Sequence, residues 1–127
     1  MTSRLAIAGG ALLMAAAVAL GAFGAHALKA RLTPDALALW QTAVNYHAWH
    51  ALGLLGVGLL ITQFPNTRGL KVTAWLFVAG IVLFCGSLYA LALGAPRAFG
   101  LVTPFGGVAF IAGWLLLAWT ARSRLRQ

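Results

Sequence analysis

The organisation of this chain is decided by one stretch, Trp40-Gln41-Thr42-Ala43-Val44-Asn45-Tyr46-His47-Ala48-Trp49-His50. It holds nearly every polar side chain that could act specifically inside an apolar run. The other long stretches are apolar and compatible with lipid, and a helix of about 20 such residues crosses a bilayer. The stretch therefore predicts a membrane helix that carries polar side chains.

The composition indicates an integral membrane protein. Of the 127 residues, 62% are hydrophobic and 8% are charged, whereas a soluble domain carries about a quarter charged residues. One acid, Asp35, stands against nine Lys and Arg, which gives a net charge of +8. The basic residues flank the apolar runs and do not line one helix face. They therefore favour orientation in a membrane over nucleic-acid binding.

Four apolar runs predict an all-α integral membrane protein, with four transmembrane helices in a compact bundle. The bundle forms a single domain over residues 1–127, with spans at approximately 5–28, 42–62, 72–93 and 102–121. The first run also has the features of a secretory signal peptide, with Ala25-His26-Ala27 as a cleavage site. It is longer than the usual 7–15 apolar residues, so we expect it to be retained.

The second run begins with a helix-start signal. Thr33 can cap the helix, Pro34 suits its first position, and Asp35 lies at the positive end of its dipole. Residues 35–63 are more than a simple span needs. We therefore expect the first two turns to lie at the membrane interface, where Trp40 would sit.

Small residues form a smooth face on the first run. At about 100° per residue, this face carries Gly10, Met14, Ala17, Gly21, Gly24 and Leu28. Such a face lets a neighbouring helix approach closely.

A duplicated helical hairpin is a further interpretation. Thr33-Pro34 and Thr103-Pro104 are 70 residues apart, and Gly10 matches Gly80 at the same offset. In a chain rich in Gly, Ala and Leu such matches are common, so the repeat stays an open interpretation.

Basic residues are divided unevenly between the two ends of the predicted bundle. One end collects Arg4, Arg68, Lys71, Arg122, Arg124 and Arg126, and the other collects Lys29, Arg31 and Arg97. Because Lys and Arg are enriched in cytoplasmic loops, this division predicts a multi-pass protein of the bacterial inner membrane with both termini in the cytoplasm.

The central stretch has two polar faces if it is helical. Thr42, Tyr46 and His50 share one face, and Gln41 and Asn45 form a second pair on the far side. Polar side chains at membrane depth usually face protein or a wet cavity, so we expect protein on both sides of this helix. The candidate functional cluster comprises Gln41, Thr42, Asn45, Tyr46, His47, His50 and, from the third run, Ser87.

Histidines are the commonest metal ligands, so His26, His47 and His50 raise the question of a metal or haem site. Pairing the first two helices puts His26 near Thr42, and His50 two turns deeper beside Val18. No carboxylate or thiolate accompanies them. This arrangement favours histidines held by hydrogen bonds, with no metal or other cofactor. Proton handling is the remaining alternative.

The surroundings of Tyr46 and His50 can also be predicted. We expect both side chains to face the first or the third run, where Gly21 or Ser87 leaves room. A buried imidazole without a hydrogen-bond partner costs about 1–3 kcal/mol. A polar neighbour such as Ser87 or Tyr89 should therefore satisfy it.

A second candidate site lies at the start of the fourth run. Thr103, Gly106 and Gly107 belong to a predicted helix start, where free N–H groups favour an anion. With Arg97 nearby, a lipid phosphate is a natural candidate ligand. Close helix packing at the two glycines is the favoured alternative.

The sequence offers no catalytic set, and we predict no enzymatic activity. Ser87 lacks the context of a nucleophile motif, and no acid can orient a histidine. The single Cys85 cannot form an intramolecular disulfide, and its apolar surroundings predict a buried structural residue.

Four ordered motifs cover nearly the whole chain: Gly21-Ala22-Phe23-Gly24-Ala25-His26, Trp40-x-x-Ala43-x-x-Tyr46-His47-x-x-His50-Ala51-Leu52, Gly86-Ser87-Leu88-Tyr89 and Thr103-Pro104-x-Gly106-Gly107. Together they resemble the domain-of-unknown-function family 423, the YgdD-type small inner-membrane proteins of bacteria. The resemblance implies a few transmembrane helices. It brings no reaction, substrate or cofactor.

Two functions stand as hypotheses. The first is a non-enzymatic membrane protein that packs with itself, with lipid or with a protein partner. The second is an oligomeric small-solute or ion channel or carrier, whose polar path is lined by Thr42, Tyr46 and His50. One bundle of this size has little room for a pore, so transport would need an oligomer. A haem or quinone binder is a third, weaker idea.

Overall fold

Four long helices make up the structure, a computed structural model that describes residues 1–124. They are α1 (Ser3–Leu28), α2 (Pro34–Gln63), α3 (Arg68–Ala92) and α4 (Thr103–Arg124). All four are long and apolar enough to cross a membrane, and the described residues contain no strand. The predicted all-α membrane fold is confirmed. Arg126, which contributed to the predicted orientation, lies outside the described residues.

Threonine caps begin the first two helices. The Thr2 hydroxyl accepts the Leu5 N–H at 3.2 Å, and the Thr33 hydroxyl accepts the Ala36 N–H at 3.2 Å. Each bond satisfies one of the backbone donors that a helix start leaves unpaired. The predicted start of α2 at Thr33 is confirmed.

Two of the helices contain a π-helical turn. α1 finishes with a π-helical turn at Gly24–Leu28, and α3 contains another at Ile81–Cys85. Gly94, at a φ of 94°, then ends α3, because glycine adopts this left-handed conformation without steric cost. A 3-10 turn over Arg97–Leu101 leads into α4.

The inner helices α2 and α3 form the centre of the molecule. α1 packs mainly along α2, and α4 mainly along α3. In the most apolar part of each span, 44% of α2 and 39% of α3 is buried, against 17% in each of α1 and α4. The outer helices therefore present most of their apolar surface outward, as lipid contact requires.

The small-residue face of α1 meets α2 as predicted. A Cβ added to Gly10 would lie 2.7 Å from the Leu55 backbone nitrogen and 2.9 Å from the Ala51 carbonyl oxygen. A Cβ on Gly21 would lie 3.3 Å from a Val44 methyl group. The absence of side chains at these glycines is what lets the two helices approach.

The repeat interpretation gains one geometric parallel. Gly10 brings α1 close to α2, and Gly80, at the matching position of α3, is covered by the Phe110 ring of α4. Thr33 and Thr103 both stand where the second helix of a hairpin begins. The contacts of the two glycines are not at equivalent positions, because Gly10 meets Ala51 and Leu55 whereas Gly80 meets Phe110, so the repeat stays an interpretation.

Trp40, near the start of α2, is buried within the bundle. Its expected position at the membrane interface stays a prediction. Its side chain is 3% exposed, and its indole N–H donates to the Leu20 carbonyl oxygen at 2.9 Å. A Cβ on Gly24 would be 2.6 Å from the indole, and the Tyr89 ring lies 4.7 Å away on the other side. The indole is buried because Gly24 leaves space for it.

The predicted pairing of α1 with α2 was displaced by about one turn. Gly21 lies against Val44 and Gly24 against Trp40. His26 therefore lies beyond Thr42, toward the connection between the helices, and its side chain is exposed. Val18 is also exposed, whereas His50 is buried, so the expected neighbourhood of these two residues does not form.

Candidate functional site

The polar stretch of α2 divides into two groups. His47 and His50 are buried and Tyr46 is half-buried, whereas Gln41, Thr42 and Asn45 are all exposed. The expectation of protein on both sides of the stretch is therefore wrong for a single chain. The inward group makes up the candidate site, and the outward group lies on the surface of α2.

His50 uses both of its ring nitrogens. Nδ1 lies 2.7 Å from the Tyr46 carbonyl oxygen, and the Trp114 indole N–H donates to Nε2 at 3.1 Å. A carbonyl oxygen only accepts and an indole N–H only donates. The two partners therefore fix the tautomer with the proton on Nδ1, and neither nitrogen is left for a ligand.

Aromatic rings from α3 and α4 enclose His50. The imidazole stacks on Phe110 with 3.4 Å between ring centroids and 12° between planes, and Phe77 meets it edge-on at 5.5 Å. Tyr46 lies 4.7 Å from Phe84. We call this set the aromatic cluster: Tyr46, His50, Phe77, Phe84, Phe110 and Trp114.

The direction in which Tyr46 and His50 face was only partly predicted. Contacts with α3 were expected and occur, but the main hydrogen-bond partner, Trp114, comes from α4, and Gly21 lies against Val44. Phe110 and Trp114 share one face of α4 because they are four residues apart. That spacing was the only signal, since aromatic residues occur on several faces of α4.

His47 pairs with the third helix. Its Nδ1 lies 3.0 Å from the Tyr89 hydroxyl, so a polar neighbour from α3 satisfies one ring nitrogen. Tyr89 was expected as a partner of His50, which binds Trp114 instead. Nε2 is buried and makes no hydrogen bond within the described part of the chain. The Tyr89 ring also contacts Trp40, so this tyrosine of α3 contacts α2 at two positions.

The arrangement of the histidines offers little to a metal ion. Among residues 1–124, no group of three or more His, Cys, Asp or Glu side chains could hold one. Ligation of a metal or haem by His50 would first have to break its bond to Trp114. Cys85 is fully buried in the apolar core.

Ser87 joins α3 to α4. Its hydroxyl lies 2.6 Å from the Thr103 hydroxyl and donates to the Phe84 carbonyl oxygen at 3.0 Å. Ser87 is buried, and its hydrogen bonds go to Thr103 and Phe84, so it makes no hydrogen bond to either histidine. Its bond to Thr103 is an interhelical contact of the kind that holds membrane helices together.

The glycines at the start of α4 serve the packing of α3 on α4. A Cβ on Gly106 would collide with the backbone nitrogen of Phe84, whereas one on Gly107 would be 3.7 Å from the Phe84 ring. The Phe105 and Gly106 N–H groups already donate to the Val102 carbonyl oxygen. The backbone donors expected to hold an anion here are therefore occupied, and Arg97 is exposed in the preceding turn.

An apolar groove of about 450 Å³ runs beside the aromatic cluster between α2 and α4, with Trp49, Gly107 and Ile111 completing its walls. The imidazole that borders it has both nitrogens engaged. The groove therefore offers apolar contact, with no free acid or base supplied by His50.

Comparison with known proteins gives relatives but no reaction. Residues 20–107 match the family described as "Protein of unknown function (DUF423)". The chain is 46% identical to the UPF0382 membrane protein YwdK of Bacillus subtilis (strain 168), over 80% of this chain and 82% of the relative. It is 38% identical to the UPF0382 inner membrane protein YgdD of Escherichia coli (strain K12), over 92% of this chain and 88% of the relative. No solved structure matches the chain significantly.

Proposed function

Since this chain belongs to the DUF423 family, whose function is unknown, and carries four helices able to span a membrane, we propose that it is a non-enzymatic membrane protein that pairs with a second copy of itself through α2. The observation that carries the proposal is the exposed pair Gln41 and Asn45 on a membrane-spanning helix.

These two amides satisfy each other only in part. Gln41 Nε2 donates to Asn45 Oδ1 at 3.0 Å, but each amide has two N–H donors and a carbonyl acceptor. Asn45 lies within the predicted span 42–62, where lipid tails offer no partner for the groups that remain. Asn and Gln side chains in membranes hydrogen-bond across helices and promote association.

The surface around this pair is suited to a second helix. At helical spacing, one exposed face of α2 carries Ala38, Gln41, Asn45, Leu52, Gly56 and Leu59, which we call the α2 stripe. A Cβ added to Gly56 would meet nothing within 4 Å, so another backbone has room to approach. In a two-fold dimer the same stripe meets itself. Asn45 of each copy can then donate to Gln41 of the other.

Cross-linking tests this pairing in a Cys85→Ala background. We expect Leu52→Cys, on the α2 stripe, to form an intermolecular disulfide in membranes, because a two-fold interface brings equivalent positions together. Leu12→Cys, on α1, should not. Leu12 and Leu52 are 72% and 53% exposed, and Gly10 packs on Ala51, so the two positions have similar depth.

The amide pair itself supplies the second control for this experiment. Asn45→Leu should abolish the disulfide at Leu52→Cys, because it removes the polar contact across the interface. Equal cross-linking of the two cysteine positions, or cross-linking that survives Asn45→Leu, would contradict the proposed dimer.

A channel or carrier is not favoured by the arrangement of its supposed lining. Thr42 is exposed on the outside of α2, whereas His50 is covered by the Phe110 ring. The three residues that would line the path therefore share a helix face but no common open surface, because exposure falls from Thr42 to His50. Enzymatic activity is likewise unsupported, because the single acid, Asp35, stands at the start of α2, away from both buried histidines.

The orientation in the membrane is part of the proposal. YgdD is described as an inner membrane protein, and the excess of basic residues at the end that holds Arg4, Arg68, Lys71 and Arg122 supports a cytoplasmic location for both termini.

Thiol labelling tests the orientation in a Cys85→Ala background. In intact cells an impermeant thiol reagent should label Phe99→Cys and leave Thr67→Cys unlabelled, because the two turns lie at opposite ends of the bundle. Permeabilised cells should label both. Labelling of Thr67→Cys from outside at the rate of Phe99→Cys would reject the orientation.

A further inference from the structure

We infer that a cavity between the start of α3 and the end of α4 binds a phosphate group, supplied by the headgroup of an anionic phospholipid. The cavity has a volume of about 490 Å³. Its polar walls are Thr67, Arg68 and Gly69 from the α3 side and Trp119, Thr120 and Ser123 from α4. This site is separate from the aromatic cluster and from the α2 stripe.

The start of α3 borders this cavity and has no side-chain cap. Thr67 makes no side-chain hydrogen bond to the first turn, whereas Thr2 and Thr33 cap α1 and α2. The first N–H groups of a helix have no partner within the helix, and its positive dipole end attracts an anion. An oxyanion in the cavity would satisfy these groups.

Thr120 provides an independent sign of a ligand. Its side chain is 2% exposed, it borders the cavity, and its hydroxyl makes no hydrogen bond to any described residue. A buried hydroxyl is normally paired. A Cβ on Gly69 would collide with the Thr120 hydroxyl, so the glycine is what leaves room for this hydroxyl beside the helix start.

The charge around the cavity selects for an anion. Arg68 lines it, and Arg122 and Lys71 lie near the same end of the bundle. Asp35, the only acid in the chain, stands at the start of α2, at the opposite end. The positive charge is therefore uncompensated by the protein, and a guanidinium binds phosphate oxygens well because its donors form a planar fork.

The position of the cavity favours a lipid as the source of the phosphate. It lies at the ends of two membrane-spanning helices, and Trp119 beside it is 70% exposed. Tryptophan is enriched at the level of lipid headgroups. A headgroup can enter from the membrane surface while its acyl chains stay beside the apolar flank of α4.

The experiment uses the purified full chain in phosphate-free detergent and two probes, phosphatidylglycerol and inorganic phosphate. Phosphatidylglycerol should be retained in preference to phosphatidylcholine in native mass spectrometry and should raise the Tm in a saturable way. Saturable binding of inorganic phosphate alone would support the phosphate site and reject the lipid as its source. If neither probe binds saturably, the inference is overturned, whether or not the chain forms dimers.

Variants distinguish binding in this cavity from the non-specific attraction of an anionic lipid to a basic protein. Arg68→Gln and Thr120→Val should each weaken retention of phosphatidylglycerol about tenfold, the loss expected for a charge-assisted hydrogen bond. Arg97→Gln, which removes the same charge at the other end, should retain it. Because the Thr120 hydroxyl makes no hydrogen bond within the described residues, Thr120→Val should leave the Tm without lipid unchanged. Wild-type retention in both cavity variants, or equal loss in Arg97→Gln, would overturn the site. If a variant fails to fold, the wild-type titration still decides.

Discussion

Gly106→Ala should lower the free energy of unfolding by roughly 3 kcal/mol, at the upper end of what overpacking costs, while Gly107→Ala should change it little. A Cβ at Gly106 would collide with the backbone of Phe84 in α3, whereas one at Gly107 would lie 3.7 Å from the Phe84 ring, an ordinary contact. A backbone cannot rotate away as a side-chain tip can, so α3 and α4 would have to separate. The measurement is reversible unfolding in detergent.

The adjacent pair of glycines is its own control. Both positions lie in the same turn of α4, and both receive the same methyl group, so the change in helix propensity is alike at both. Equal stability of the two variants would show that α3 and α4 do not approach closely at Gly106. That result would reopen the start of α4 as an anion site.

The second large effect is expected at His50. His50→Ala should cost roughly 2–5 kcal/mol, because it empties the space on Phe110 and leaves the Trp114 indole N–H without an acceptor. Trp114→Phe keeps most of the ring and leaves His50 Nε2 unpaired, so it should cost about 1–3 kcal/mol. The double variant should lose less stability than the sum of the two single-variant losses, because both substitutions remove the same hydrogen bond.

Metal content distinguishes the structural role of His50 from a cofactor role. Elemental analysis of protein prepared without a His-tag should give the same result for the wild type and His50→Ala. One equivalent of zinc, copper or iron that disappears in His50→Ala would mean that the imidazole is a ligand and that its bond to Trp114 is broken in the loaded protein.

The features that could be predicted are those set by residues close together in the sequence. The cap at Thr33 and the small-residue face around Gly10 and Gly21 depend on residues close in sequence. The hydrogen bond between Trp114 and His50 joins residues that are 64 positions apart in the sequence. No local pattern distinguishes Trp114 from the other tryptophans. Lipid tolerates apolar residues on any face, so hydrophobic periodicity does not say which side of α4 faces inward.

The sequence by itself determined that this is a membrane protein of four helices, because span length, charge and helix caps are properties of continuous segments. Tertiary structure decided how each helix is rotated: that Trp40 is buried under Gly24, that His50 faces Phe110 and Trp114, and that Gln41 and Asn45 face outward. The physical reason is that helices in a membrane settle where backbones can approach most closely. Those positions depend on pairs of glycines and aromatic rings from different helices.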